Sequence, residues 1–380
     1  AARIPHTRSG EHPSISVVEA MTPSSYALRL QRLQQQLVQA NLDALLVGHL
    51  KNIRYLTGFT GTTGYLLVTP DSATLYVDGR YTVQAQAQTS GITVTETVRD
   101  VLADVITHLR AMSLDRCGFE AARLVWSDAR RLETGLPDTE LVPTKDMVEA
   151  MRYQKDEDEI AALRKAVAIA DAAFADFLTW LEPGMSEIEV AARLEFFQRS
   201  QGGDRKPSET AVSSGPRTSL THGIATDRKI QQGEPVMIDI GIVVAGYTSD
   251  LTRTVHIGEP SQEFVDVYNI VLEAQARAIQ GLRPGMTGRE VDALARDHIA
   301  AHNFGAYFGH GLGHSVGLEI HEAPYLSMTG DIPLQPGMVL TVEPGIYIPG
   351  RFGVRTEDIV LVAEDGCEVL TESEFRLQVL

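Results

Sequence analysis

The second half of the 380-residue chain repeats itself at a nearly fixed interval, and this repeat restricts the folds open to it. The sequence at 183–190, Pro-Gly-Met-Ser-Glu-Ile-Glu-Val, returns 101 residues later at 284–291 as Pro-Gly-Met-Thr-Gly-Arg-Glu-Val. Each copy combines a Pro-Gly turn, a Ser or Thr suited to cap a helix, and the start of an amphipathic helix. We therefore predict two similar halves.

A second repeated segment brings an acid in each copy. Residues 232–241, Gln-Gly-Glu-Pro-Val-Met-Ile-Asp-Ile-Gly, return 104 residues later at 336–345 as Pro-Gly-Met-Val-Leu-Thr-Val-Glu-Pro-Gly. Asp239 and Glu343 each follow a turn glycine by six residues. The pattern indicates that each half delivers a carboxylate at the end of an apolar strand.

A further acid follows each of these strands. A turn at 245–246 would place Asp239 and Asp250 near each other across a two-stranded ladder, on one face if the register agrees. Glu343 and Glu357 occupy the equivalent places in the second half, again between apolar runs. We expect the two acid pairs to converge.

Carboxylates forced together in an apolar sheet repel each other, so their pKa values rise unless a cation is bound between them. Arg253 is an alternative partner as a salt bridge, but one arginine does not neutralise four acids. Leaving one buried acid unpaired would cost several kcal/mol. The pattern therefore favours a metal site.

The segment 307–322 reads Tyr-Phe-Gly-His-Gly-Leu-Gly-His-Ser-Val-Gly-Leu-Glu-Ile-His-Glu and lies between the two acid-bearing regions. His310, His314 and His321 lie among four glycines that permit close approach of backbone and neighbouring groups. Any one of these histidines alone could be an ordinary core or surface residue. Four carboxylates with one histidine form a hard ligand set that suits two Mn, Co or Zn ions. Such ions activate water and polarise a carbonyl, which is hydrolytic chemistry.

Composition excludes several classes of partner. The net charge of −17 repels a nucleic-acid backbone and offers no basic run for anionic lipid. Cys117 and Cys367 lie 250 positions apart, without the spacing of a disulfide framework or a thiolate zinc site, which fits a reducing, cytoplasmic setting. There is no apolar run of 18 residues to predict a transmembrane helix.

The N-terminal part alternates strand-like and helix-like segments, which predicts an α/β domain at 21–148. A stripe of Leu28, Leu30, Leu33 and Leu37 predicts its first helix. We place the domain boundary near 143–156 and the second domain at 149–380. Residues 1–20 lack an apolar targeting core and precede Met21, so we interpret them as a leader, an extension or an expression remnant, and expect a protein starting at Met21 to keep full activity.

With these motifs in order, residues 150–380 resemble the pita-bread metallopeptidases, which include aminopeptidase P, prolidase and methionine aminopeptidase, with creatinase as a metal-free relative. The resemblance implies an α/β N-terminal domain and an α+β pita-bread (creatinase/aminopeptidase-like) C-terminal catalytic domain with an internal pseudo-twofold repeat. It implies that Asp239 chelates one ion, Asp250 and Glu357 bridge, and His314 with Glu343 completes the second. His314, rather than His310, lies seven residues before the His-Glu-Ala-Pro of 321–324, so we predict His310 to be a substrate-side group.

The resemblance also implies roles for residues around the ligands. His222 matches a histidine that lines the substrate pocket, and His321 matches one placed to hydrogen bond the scissile carbonyl or the tetrahedral intermediate. Arg355 resembles a residue that holds carboxylates in register. Tyr347 resembles a gate or polar contact, and a purely structural role fits it equally well. Glu343 is also the candidate proton shuttle.

Asn52-Ile-Arg-Tyr-Leu-Thr-Gly-Phe and Asp78-Gly-Arg-Tyr resemble the N-terminal domain of the proline-specific members, which implies hydrolysis of an Xaa-Pro bond at a free N-terminus. An Xaa-Pro dipeptidase (prolidase) needs a group for the proline carboxylate, and Arg54 is a candidate, or else a fold-supporting arginine. The short first domain and Arg54 slightly favour the dipeptidase, whereas Asp-Gly-Arg-Tyr resembles aminopeptidase P, which acts on longer peptides with proline second.

A different class of function is a non-catalytic binding module, because some relatives of this fold have lost their metals. The presence of all five ligand positions argues against that alternative here. Proline-specific relatives usually associate, so the resemblance implies a homodimer.

Overall fold

The computed structural model describes residues 23–98 and 100–380, so the interpretation of residues 1–20 lies outside the described residues. The described chain forms two domains, an N-terminal α/β domain and a C-terminal α+β domain built on paired sheets. The last strand of the first domain ends at Thr144, and a 3₁₀ turn (Glu149–Arg152) then leads to the first long helix of the second domain.

The N-terminal domain is a six-stranded sheet with helices packed against it. Its strands are β1 (Ala44–Val47), β2 (Tyr65–Val68), β3 (Ala73–Asp78), β4 (Thr93–Thr97), β5 (Arg116–Glu120) and β6 (Glu140–Thr144). Its helices are α1 (Pro23–Gln39), α2 (Leu50–Thr57), α3 (Thr82–Gln88), α4 (Val101–Met112) and α5 (Trp126–Gly135). The strand order is β4-β3-β2-β1-β5-β6, with β2 antiparallel to both neighbours and the remaining pairs parallel.

Helix α1 buries a narrower stripe than the sequence predicts. The predicted helix is present, and in it Leu33 and Leu37 are fully buried and Leu30 nearly so, whereas Leu28 is 54% exposed. The buried positions are three and four residues apart, as one helix face requires, and Leu28 is two residues from Leu30 and therefore lies off that face.

Four elements of this domain escaped prediction, namely α2, α3, α5 and β6. Helix α2 has only eight residues, and its Tyr and Leu also suit a strand; it ends at Gly58, whose φ of +81° favours glycine. Strand β6 contains Pro143, which cannot donate to a ladder, but β6 is an edge strand and tolerates it.

The C-terminal domain contains two pairs of helices and the strands that carry the acids. Its helices are α6 (Glu157–Leu178), α7 (Glu187–Ser200), α8 (Gln262–Gly281) and α9 (Gly288–Ala301). The strands of its first half are β7 (Ala211–Ser214), β8 (Pro235–Ile240), β9 (Val243–Val244), β10 (Tyr247–Thr248) and β11 (Leu251–His256). The strands of its second half are β12 (Gly313–Ser315), β13 (Glu322–Leu326), β14 (Val339–Val342), β15 (Gly345–Ile348), β16 (Phe352–Arg355), β17 (Asp358–Val362) and β18 (Cys367–Val369). Short 3₁₀ turns lie at Gly215–Ser219 and Gly305–Tyr307.

The repeat read from the sequence has a structural counterpart. Ser186 and Thr287 form complete capping boxes at the starts of α7 and α9. The first half forms a sheet of order β11-β8-β7, and the second contains the matching order β17-β14-β12 inside a five-stranded sheet. In both halves, therefore, a capped helix precedes antiparallel strands that pair in the same order.

The two domains share apolar packing. One core cluster combines Leu33, Ile53 and Leu75 of the first domain with Val316 and Ile359 of the second. Within the described residues, no helix combines the length and apolar character needed to cross a membrane.

Candidate metal centre and active site

Asp239 and Asp250 meet because β8 and β11 pair in one register. Thr252 lies opposite Asp239, and Asp250 precedes Thr252 by two residues, so both acids lie on the same sheet face. The chain between them makes a tight turn at Ala245 and Gly246, both with positive φ, between the short strands β9 and β10. The turn predicted at this position is therefore present. The longer ladder that carries the two acids is formed by β8 and β11, outside the short β9–β10 pair.

Glu343 and Glu357 lie at the same end of the second sheet. Val342 pairs with Asp358 in the antiparallel β14–β17 ladder. Glu343 directly follows Val342, and Glu357 directly precedes Asp358. The Glu357 backbone N–H donates to the Thr252 carbonyl at 3.1 Å, and Thr252 Oγ1 donates to Glu357 Oε2 at 2.7 Å. These bonds connect the second half to strand β11 of the first.

Three of the four acids form a compact group. One carboxylate oxygen from each of Asp239, Asp250 and Glu357 lies within 4.8 Å of the other two. Glu357 Oε1 is buried and has no hydrogen-bond partner. A buried, unpartnered carboxylate oxygen aimed into an acid cluster is the arrangement that a bound cation would satisfy.

His314 approaches this group from β12. Its Nε2 lies 3.3 Å from Glu343 Oε1 and 3.8 Å from Asp250 Oδ2. Its Nδ1 lies 3.1 Å from the Ser315 carbonyl, which makes Nδ1 the donor in that hydrogen bond and leaves Nε2 as the ring nitrogen that faces the carboxylates. Nε2 is therefore the ring atom that would bind a metal ion, once its proton is lost.

The electrostatics of the metal-free cluster also favour a cation. Burial and the neighbouring acids raise the pKa values of Asp250 and Glu357 well above the ordinary range. Burial also raises the pKa of Asp239, although Arg355 opposes that shift. Burial lowers the pKa of His314, but its hydrogen bond with Glu343 outweighs that effect and raises it to about 9. In the metal-free protein, bound protons and the His314 imidazolium thus offset the negative charge of the acids. Divalent ions could offset the same charge instead.

Arg355 links the carboxylates to neighbouring polar groups. Its guanidinium hydrogen bonds to Asp239, donates to Thr252 Oγ1 at 3.0 Å, and donates to Tyr347 Oη at 3.0 Å. The Tyr347 hydroxyl also lies 2.9 Å from His310 Nε2, and His310 Nδ1 lies 2.7 Å from the Gly311 carbonyl. Both ring nitrogens of His310 are therefore engaged away from the acids, whereas Nε2 of His314 faces them.

The cluster forms the floor of a cleft of about 440 Å³. The predicted site residues that line it are Asp239, Asp250, Glu343, Glu357, His222, His310, His314, His321 and Arg355. The rings of His314 and His321 are in edge contact, with centroids 4.5 Å apart. Tyr347 is buried behind the wall rather than in it.

Arg54 lies elsewhere. Its guanidinium packs over Gly246, where a Cβ would come within 2.3 Å of the Arg54 Cζ. It does not line the cleft formed by the described residues of its own chain. Its position explains why the 245–246 turn needs glycine, and the structure does not bring it together with the acids.

Several residues of the cleft escaped the sequence analysis. Ser208, Glu209, Tyr325 and Ser327 line it, together with Ile224 and Ile320. Tyr325 and Ser327 follow His321 by four and six residues, so strand alternation from His321 could have identified them. Ser208 and Glu209 lie in a loop without a local motif.

The C-terminal domain contains an internal repeat, and its buried cluster of acids and a histidine forms the floor of a cleft. This fold and this site define the protein as a metallopeptidase. Residues 161–364 match the model described as metallopeptidase family M24, and residues 29–154 match the creatinase/prolidase N-terminal domain. The chain belongs to metallopeptidase family M24.

Named relatives resemble it over nearly their whole length. A structure of Xaa-Pro dipeptidase from Bacillus anthracis is 42% identical, with a TM-score of 0.90, and the match covers 93% of this chain and all of that chain. A structure of X-Pro aminopeptidase from Thermotoga maritima is 37% identical with a TM-score of 0.87, covering 92% of this chain and 99% of that chain. The Xaa-Pro dipeptidase of Pyrococcus horikoshii is 36% identical over 89% of this chain and 95% of its own length.

Proposed function

We propose that this metallopeptidase hydrolyses the Xaa-Pro bond at a free N-terminus, with Xaa-Pro dipeptides as its first substrate class. The observation that carries the proposal is the buried group of Asp239, Asp250 and Glu357, with His314 and Glu343 beside it. The Xaa-Pro dipeptidases of B. anthracis and P. horikoshii, 42% and 36% identical, support the substrate class.

Asp239, Asp250, His314, Glu343 and Glu357 would hold two divalent ions of manganese, cobalt or zinc. The donor set of four carboxylates and one imidazole fits such ions. When bound, divalent ions supply a Lewis acid for the scissile carbonyl and activate water for attack on it.

The other residues of the cleft position the substrate and the developing charge. His321 and His222 are exposed to the cleft and can donate to the carbonyl oxygen or its tetrahedral successor. Arg355 holds Asp239 in place, and Tyr347 joins Arg355 to His310. Glu343 can move a proton from water to the leaving amine, because its carboxylate lines the cleft beside the proposed metal ligands.

One observation favours aminopeptidase P activity as a second candidate. Among the described residues that line the cleft, Arg355 is the single arginine or lysine, and Asp239 already engages it. A longer peptide presents no carboxylate after proline and needs no further cation. The X-Pro aminopeptidase of T. maritima, 37% identical, is consistent with this candidate.

We also propose a homodimer in the cytoplasm, with domains at 21–148 and 149–380. Cys117 and Cys367 are both free thiols, as a reducing compartment favours. Sedimentation of the purified chain tests the dimer.

The deciding experiment compares Ala-Pro and Ala-Pro-Ala as substrates of chelator-treated protein refilled with Mn²⁺, Co²⁺ or Zn²⁺. We expect no cleavage without metal, restoration at two ions per chain, and a kcat/KM ratio that favours Ala-Pro. A ratio favouring Ala-Pro-Ala would select aminopeptidase P. Failure to cleave either peptide, in folded protein that binds two ions, would contradict the Xaa-Pro proposal.

A further inference from the structure

A buried polar network connects the N-terminal domain to the catalytic segment that carries His321. We call Asn52, Arg152, Lys155, Glu319 and Glu322 the Arg152 cluster. Arg152 donates from Nη1 to Asn52 Oδ1 at 2.6 Å and from Nη2 to Glu319 Oε2 at 2.9 Å, and it also hydrogen bonds to Glu322. The Arg152 side chain is only 4% exposed.

On the N-terminal side, Asn52 is held by one acid at the end of strand β5 and one acid of the 3₁₀ turn. Its amide nitrogen donates to Glu120 Oε1 at 2.6 Å and to Glu149 Oε1 at 2.9 Å. Glu120, at the end of β5, accepts through Oε2 from the backbone N–H groups of Gly48 and His49, both at 2.8 Å. Asn52 therefore has little freedom to move relative to the first sheet.

On the catalytic side, Glu322 is the residue directly after His321. Its Oε2 lies 3.6 Å from Lys155 Nζ, which also donates to Ser315 Oγ at 2.8 Å. Its Oε1 accepts from the Glu319 backbone N–H at 2.9 Å. Contacts from Arg152 and Lys155 thus fix both ends of the segment 315–322, which runs from the neighbour of His314 to the neighbour of His321.

The His321 imidazole itself has no hydrogen bond to another described residue and is exposed to the cleft. Its one ring contact is with His314. Its position is therefore set through its backbone, which the buried neighbouring residue Glu322 anchors to Arg152 and Lys155.

Stability alone does not account for the buried ion pairs of the Arg152 cluster. Removing one partner of a buried ion pair leaves an uncompensated charge, whereas apolar residues of similar volume are often as stabilising as the pair. Arg152, Lys155, Glu319 and Glu322 balance in charge, and each of the two cations contacts Glu322.

We infer that the Arg152 cluster is a positioning device for His321, so that the N-terminal domain sets the geometry of a catalytic side chain that it does not touch. The inference deepens the proposed peptidase function and rests on it. Arg152 and Asn52 are positioning residues, because they act through Glu322.

A double-mutant cycle tests the inference in the full-length, metal-loaded protein with Ala-Pro as substrate. We expect Arg152→Met to lower kcat by about 10- to 100-fold, since misplacement of a catalytic group by 1 Å costs about that much, with KM within about twofold. We expect Arg152→Met to cause no further loss in a His321→Ala background, and its full loss in a His222→Ala background. Arg152→Lys should recover part of kcat.

Arg164→Met is the matched control, because it removes a bidentate but exposed pair with Glu368 and should leave kcat unchanged. If Arg152→Met does not fold, Glu319→Gln and Asn52→Ala enter the same cycle with the same expected non-additivity. Equal losses in the wild-type and His321→Ala backgrounds, or an effect on KM alone, would overturn the inference.

Hydrogen exchange gives a readout that does not need turnover. In metal-free protein, Arg152→Met or the milder variants should speed amide exchange at 316–326 by at least about tenfold while leaving 235–256 unchanged. Unchanged exchange at 316–326 would overturn the inference even if neither peptide proved to be a substrate. Absence of peptide cleavage by the wild type, in contrast, would contradict only the proposed function.

Discussion

The two halves of the C-terminal domain share a scaffold but not a set of functional side chains. In each half an acid directly precedes the outer strand of the matched sheet, Asp250 before β11 and Glu357 before β17. In each half another acid lies at the far end of the central strand, Asp239 in β8 and Glu343 after β14. All four carboxylates thus lie at equivalent positions of the internal repeat.

The proposed histidine ligand, His314, has no such counterpart. Leu340 of β14 pairs with Ser315, and the equivalent Val236 of β8 pairs with Ser214. The position equivalent to His314 is therefore Ser213, which is buried but cannot supply an imidazole. The second half also has the longer hairpin, β15–β16, which carries Tyr347 and Arg355. The comparison teaches that the repeat places two acids in each half, whereas His314, Tyr347 and Arg355 come from the second half alone.

The largest expected effect tests the equivalence of the acids. Asp250→Asn and Glu357→Gln should each lower kcat/KM by at least about 1,000-fold, because each removes a charge that the metal centre needs. Metal analysis should show fewer than two ions per chain in both variants. Asp138→Asn, at an exposed acid, is the control. Strong loss in one half and mild loss in the other would break the proposed equivalence of the acids.

The next effect tests the asymmetry. His314→Ala should lower kcat/KM by about 100-fold or more, whereas Ser213→Ala, at the equivalent position, should change it by less than about threefold. Steady-state kinetics and metal content provide the measurement. Comparable losses in the two variants would mean that Ser213 contributes to the site and that the halves are less different than their side chains indicate.

Metal removal should make the free energy of unfolding depend on pH through the acids of the site. Asp250 and Glu357 have raised pKa values in the metal-free protein, so the folded state retains protons that the unfolded state has lost above about pH 4. Stability of the metal-free protein should therefore fall as pH rises from 5 to 8. Saturating metal should restore more than about 2 kcal/mol at pH 8 and less at pH 5, measured by urea unfolding. A pH-independent gain would contradict the charge argument.

The smallest effect should be the same in both halves. Ser186→Ala and Thr287→Ala each remove a complete capping box, and each should lower the free energy of unfolding by about 1 kcal/mol. Glycine at either position should cost only a few tenths of that, because glycine is itself an acceptable cap. Chemical denaturation checks both. A large difference between the two variants would show that the halves differ in their scaffold as well as in their side chains.

Local patterns in the sequence predicted those parts of the site that depend on neighbours along the chain. The Pro-Gly turns, the capped helices and the acid at the end of an apolar strand each extend over ten residues or fewer, and Asp239 and Asp250 meet through a single turn. Glu357 and Thr252, in contrast, are 105 residues apart, and no short pattern announces their contact.

The same limit explains what the sequence did not reveal. Arg54 has the chemistry to bind a carboxylate, but its position beside Gly246 follows from how the two domains pack. Arg152 appears as one charge in the run Met151-Arg-Tyr-Gln-Lys-Asp-Glu, and its partners Asn52 and Glu322 lie 100 and 170 residues away. Charge type can be read from the sequence, but long-range partnership depends on tertiary structure.

Each half also reaches into the other. Arg355 of the second half hydrogen bonds to Asp239 of the first, and Arg253 of the first half donates to Asp358 of the second at 2.7 Å. In a symmetric pair of identical subunits, a histidine placed at one of the two equivalent positions would also appear at the other. Joining the halves in one chain removes that constraint, so His314 and Ser213 could diverge by independent mutation. A single chain that carries both halves can therefore hold an imidazole at one of two equivalent positions and a hydroxyl at the other.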